Sequence, residues 1–145
     1  IGVESKRFEP FRDFKLAELS PKYSSYDWEK GMAPWCAMRD LLLADPATFR
    51  HLDAAQLVKH GFGLVAEAKR RRKSPVLLYL YAEPTEGRVI PAKSFAEHRS
   101  EIARFADTVA GSTVRFTACS WREWLEIFPR EIAAHAERLI ARFHP

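Results

Sequence analysis

The run PVLLYLYA, Pro75 to Ala82, is the longest apolar stretch of the chain and constrains it most. It falls far short of the roughly 20 apolar residues that cross a bilayer, and its length suits a buried strand. A buried strand needs other elements laid over it, and the flanking sequence supplies them. Upstream, Asp53 is placed to cap a helix from Ala54 to about Arg72, with Leu57, Val58, Leu64, Val65 and Ala68 forming an apolar stripe. Pro75 stops that helix and starts the strand. Gly61 and Gly63 are costly inside a helix, which is tolerable where another element must approach closely.

The remaining segments alternate in the same way. Ile1 to Lys6 reads as a strand, and Phe8 to Tyr26 as an irregular surface excursion with Pro10 and Pro21. Ala33 to Ala44 reads as a helix with Trp35, Met38 and Leu42 on one side and Pro34 in its first turn. After a polar turn at Glu83–Arg88 come a helix over Ser94–Val109, a strand over Ser112–Cys119, a short helical turn over Trp121–Phe128 and a closing helix over Pro129–Phe143. Strands separated by helical crossovers imply an α/β protein, with a mixed, largely parallel sheet flanked by helices. At 145 residues one domain spans the chain, 1–145.

Within the first strand, Glu4 and Lys6 are two residues apart, so both side chains project from one face, about 7 Å apart along the chain. A carboxylate is a hard donor suited to Mg²⁺ or Mn²⁺, and the backbone carbonyl of Ser5 can add a ligand. A lysine beside it can hold an attacking water or neutralise charge that develops on a phosphate. The plainer reading of the tripeptide is a solvated pair on a strand edge. The same acid-x-Lys spacing recurs at Asp13–Lys15 and Glu67–Lys69, but the second lies in the long helix, where positions two apart splay by about 200°. On that helix Gln56 and His60 are four apart and share a face, with Lys59 beside them, and Lys59 and His60 are candidates to contact nucleic-acid phosphates.

Strand VESK, the helix beginning DAAQLVKH, the strand PVLLYLY and the helix–strand–helix tail together resemble the PD-(D/E)XK nuclease superfamily in order of elements. The resemblance implies a restriction-endonuclease-like core that hydrolyses phosphodiester bonds in DNA with Mg²⁺ or Mn²⁺. Glu4 then resembles the metal-binding acid and Lys6 the catalytic lysine. Gln56 matches the glutamine of exonuclease-like branches, while His60 stands where those branches more often have tyrosine. The superfamily also carries an aspartate on a strand upstream of E-x-K. With Ile1 as the first residue, the expectation is a chain trimmed at its N-terminus, with that aspartate missing.

The net charge of +4 mildly favours anionic partners, and the charge is concentrated in KRRRK, Lys69 to Lys73. At a helix C-terminus these cations complement the dipole, and Arg70, Arg71 and Arg72 can also contact phosphates. The expectation is therefore a DNA-cutting domain, or an inactive relative that binds nucleic acid or protein through its basic helix end. No membrane is expected as a partner, and two cysteines, Cys36 and Cys119, suit a reducing, cytoplasmic setting. Neither a nucleophile elbow, a Walker loop nor zinc-ligand spacing among the histidines occurs. Trp28, Trp35, Trp121 and Trp124 could stack on bases, though at this spacing tryptophans more often pack.

Overall fold

The computed structural model describes residues 1–12, 14, 16–25, 27–85 and 90–145. Strand β1 (Gly2–Lys6) leads into the short helix α1 (Lys22–Ser25), then helix α2 (Ala33–Ala44) and the long helix α3 (Ala54–Arg71). Strand β2 (Val76–Tyr81), helix α4 (Ala92–Thr108), strand β3 (Arg115–Ser120), helix α5 (Trp121–Glu126) and helix α6 (Ala133–Phe143) complete the order. Asp13 and Lys15 of the second acid-x-Lys triplet, and Glu86–Arg88 of the expected polar turn, lie outside the described residues.

The apolar run forms the central strand, and the sheet order is β1-β2-β3. Both pairings are parallel, so among the described residues the sheet is parallel rather than mixed. Helical crossovers join β1 to β2 and β2 to β3, and such a connection returns the chain to the same end of the sheet. Register places Glu4, Tyr79 and Ala118 in one row and Lys6, Tyr81 and Ser120 in the next. That face packs against α2, α3 and α4, where Trp35, Met38, Leu57, Phe62, Leu77 and Phe105 form part of a continuous core. The opposite face is covered more thinly by α5 and α6, which leave an apolar cavity of about 390 Å³ against Ser5 and Ala82.

Several boundaries differ from the sequence expectations for local reasons. Strand β3 starts at Arg115 because Ser112 and Thr113 are held in a turn: the Ser112 hydroxyl bonds the carbonyls of Val109 and Val114, and Thr113 N–H donates to Gly31 O. Helix α4 starts earlier, at Ala92 directly after Pro91, and α6 later, at Ala133, behind a 3₁₀ turn over Arg130–Ile132. The stretch expected to be irregular contains α1 and a 3₁₀ turn at Glu9–Phe11. At and just before β1 the apolar residues are exposed, Ile1 at 88% and Val3 at 56%, while Glu4 is buried.

Gly61 and Gly63 occupy opposite situations in α3. A Cβ on Gly61 would stand 2.6 Å from ring carbons of Trp35, which is fully buried, whereas one on Gly63 meets nothing within 4 Å. The glycine at 61 thus lets α3 lie against the indole on α2. Gly63→Ala should raise stability by up to about 1 kcal/mol through helix propensity. Gly61→Ala should instead lower it by about 1–3 kcal/mol through overpacking. Urea unfolding of the two variants checks the opposite signs.

Candidate active site

Helix α3 carries the expected polar face toward β1. Asp53 caps it, its carboxylate accepting from Gln56 N–H at 3.0 Å, which fixes the first turn where Gln56 begins. Gln56 and His60, one turn apart, then both meet the buried carboxylate of Glu4. Lys6 Nζ lies 2.8 Å from Glu4 Oε1 and donates to Gln56 Oε1 at 2.8 Å. Gln56 Nε2 donates to Glu4 Oε2 at 3.3 Å, and His60 Nε2 stands 2.9 Å from the same oxygen. A carboxylate removed from water needs such partners, because an unpaired charge there is costly.

The cluster sits at the carboxyl ends of parallel strands, where open α/β sheets form their ligand crevices. A polar cavity of about 150 Å³ opens there, lined among others by Lys6, Gln56, Asp53 and Tyr79 together with Arg50 and His51. The lead-in to α3 is fastened by Glu101 of α4, whose carboxylate accepts from the backbone N–H groups of Arg50, His51 and Leu52 at 2.8 Å each. His51 bridges Pro10 O at 2.7 Å and Glu97 Oε2 at 3.3 Å. Glu9 is held below the usual carboxylate range by hydrogen bonds from its own backbone N–H and that of Arg7. Arg50 and His51 stand three and two residues before the N-cap Asp53, a basic pair ahead of a helix that could have marked this site, but nothing local revealed that Glu101 would hold their backbone.

Ser5 divides the two faces. Its hydroxyl accepts from Trp121 Nε1 at 3.1 Å on the outer side. Lys6 O accepts from Ala82 N–H at 3.0 Å, and carbonyls alternate in direction along a strand, so the Ser5 carbonyl points to the open edge of β1. The oxygens available to a metal are thus the Glu4 carboxylate and the Ser5 carbonyl. Both are hard donors, and Mg²⁺ commonly takes one or two carboxylates with waters and substrate phosphates in its remaining positions. Among the described residues no group of three or more His, Cys, Asp or Glu side chains could hold a metal ion, so the residues fit Mg²⁺ in kind while offering few ligands.

The other sequence candidates lie elsewhere. Lys59 faces a separate surface cavity beside Glu18 and Lys22. Arg70 and Arg71 pair with Glu67, whose carboxyl their hydrogen bonds lower to about 2. Arg72 closes α3 in a left-handed conformation. These arginines are about 21 Å along the helix axis from Gln56 at about 1.5 Å per residue. Trp35 is buried and bonds Val114 O at 3.1 Å, Trp28 stacks on Phe62, and Trp121 meets Trp124 edge to face. No family model, curated protein or solved structure matches the chain. None of the described helices is long and apolar enough to cross a membrane.

Beneath the cavity, Tyr79 bonds His98 Nε2 at 3.0 Å; His98 is fully buried and its Nδ1 has no hydrogen-bond partner. Burial, followed by the nearby positive charge of His51 and Arg99, pushes its pKa from 6.5 down to about 3. The folded state therefore refuses a proton that the unfolded chain accepts. Stability from this group is complete above pH 6.5 and declines as pH falls toward 3, at no more than about 1.4 kcal/mol per unit. Urea unfolding between pH 7 and pH 5 should show a shallower slope for His98→Phe than for the natural protein. Lys6→Met should cost about 3 kcal/mol by leaving Glu4 short of a cation, and adding Glu4→Leu should recover part of that loss in the same measurement.

Proposed function

We propose that the chain is a metal-dependent nuclease domain of the PD-(D/E)XK type, hydrolysing phosphodiester bonds in DNA. The observation that carries this reading is the convergence of Glu4, Lys6 and Gln56 on one another at the carboxyl end of a parallel sheet, with Lys6 Nζ 2.8 Å from both partners. Each residue then has a role that its contacts support. Glu4 and the Ser5 carbonyl would hold Mg²⁺ or Mn²⁺, which when bound polarises a phosphate and lowers the pKa of water. Lys6 places a positive charge beside the reacting phosphate and can hydrogen-bond the attacking water. Gln56 keeps Lys6 and Glu4 in register and offers its amide to that water. His60, more exposed than the others, steadies Glu4 Oε2 from the solvent side.

One observation favours a second reading, a catalytically silent domain that binds nucleic acid or protein. Both Glu4 oxygens already have protein partners, so the cluster is self-satisfied as it stands. Cleavage assays separate the two. With Mg²⁺ or Mn²⁺ and mixed DNA and RNA substrates, the nuclease reading expects cutting that EDTA stops and that Lys6→Ala lowers by about a hundred-fold or more. Cutting that persists undiminished in Lys6→Ala or in Glu4→Gln would overturn the assignment. A folded protein that binds these substrates without cutting them would establish the second reading.

A further inference from the structure

The polar cavity at Lys6 and Gln56 continues into a second one of about 290 Å³, since Pro10, Arg50 and His51 line both. Arg12, Lys93 and Ser94 line the far part of this cleft. Its acids are already engaged inside the protein. Glu97 lies between His51 and Lys93, Glu101 takes three backbone N–H groups, Asp53 caps α3 and Glu9 accepts from Arg7 N–H. By contrast, the exposed guanidinium groups of Arg12 and Arg50 make no ion pair or hydrogen bond with the described residues. Helix α4 also begins here, with Pro91 as its N-cap and no side-chain cap, so the positive end of a 17-residue helix adds to the field.

A lone anion would need one of these cationic positions. A line of them from Lys6 past Arg50 to Arg12 and Lys93 matches a ligand with anions repeated along its length, as in a phosphodiester backbone. We propose that this cleft, and not KRRRK, holds the backbone of the nucleic-acid strand presented to Glu4 and Lys6, with successive phosphates over Arg50 and then Arg12 and Lys93. The assignment rests on the nuclease reading for its orientation, and it names a surface that the tripeptide and the basic run did not indicate. KRRRK stands at the far end of α3, about 21 Å along the helix axis from Gln56 at about 1.5 Å per residue.

The test compares two variants that each remove three positive charges: Arg12→Ala/Arg50→Ala/Lys93→Ala and Arg70→Ala/Arg71→Ala/Arg72→Ala. Binding of a labelled single-stranded oligonucleotide is followed by fluorescence anisotropy in EDTA, which keeps cleavage out of the measurement. The cleft variant should bind at least about tenfold more weakly, and its slope of log K against log salt should be shallower by about 2, at about 0.7 per phosphate contact on a single strand. The helix-end variant should stay within about twofold of the natural protein. An unaffected cleft variant, an equal or greater loss in the helix-end variant, or no binding by the natural protein would each overturn the proposal. Glutamine substitutions at the same cleft positions repeat the measurement if the alanine variant unfolds. Metal-dependent cutting with unimpaired cleft variants would remove this inference and leave the nuclease reading, whereas cleft-dependent binding without cutting would do the reverse.

Discussion

A carboxylate buried on the inner face of an edge strand imposes the arrangement around it. Glu4 lies where a parallel sheet meets its covering helix, largely withdrawn from water, so protein groups supply most of its hydrogen bonds. Lys6 neutralises it from the same strand, since a period of two puts both on one face. Gln56 and His60 complete its hydrogen bonds from α3, since a spacing of four puts them over one another. The helix must therefore approach β1 with that face turned toward the strand. Its neighbouring positions then meet α2, where Gly61 admits the Trp35 ring. Polar and apolar demands on α3 are met on different sides of one cylinder.

The parallel topology gives the cluster its setting. With both pairings parallel, Lys6, Tyr81 and Ser120 end at the same margin of the sheet, and α3, α4 and α5 begin near their respective strand ends or crossovers there. Backbone N–H groups and positive helix ends are thereby directed toward one side of the molecule. The C-terminal ends of the long helices carry the opposite polarity and are placed away from it, where Lys69, Arg70 and Arg71 in the last turn of α3 have an electrostatic use within the fold.

Much of this was legible from local pattern. The bounds of α2 and β2 follow from Pro34, Pro75 and apolar spacing, and Asp53 marked the start of α3. The shared faces of Glu4 with Lys6 and of Gln56 with His60 followed from two periodicities, whereas the approach of Gln56 to Glu4 and Lys6 was expected only from the resemblance. What could not be read depends on long-range pairing. The sheet was expected to be mixed and largely parallel; helical crossovers gave the parallel part, but no pattern within a strand states the direction of every neighbour. Burial of Glu4, with Ile1 and Val3 outward, contradicts the usual preference of side chains and became visible only once β2 and α3 were in place. The cleft beyond Gln56 was hidden for the same reason, because Arg12, Arg50 and Lys93 are distant in sequence and are gathered by the docking of α4.

The grip of Glu101 on Arg50, His51 and Leu52 has a kinetic implication. These bonds span 49 to 51 residues, fewer than the 75 that separate Gly2 from its partner Leu77 in the β1–β2 pairing. Loop closure on that scale is slow compared with helix growth, and contacts of high sequence separation are typically made late on the way to the native state. Both the lead-in to α3 and the sheet depend on distant contacts, but the lead-in is held by one carboxylate and can open by its release without melting the sheet. Such local opening unmakes the cleft while the core stays assembled, giving the two regions separate lifetimes in the same molecule.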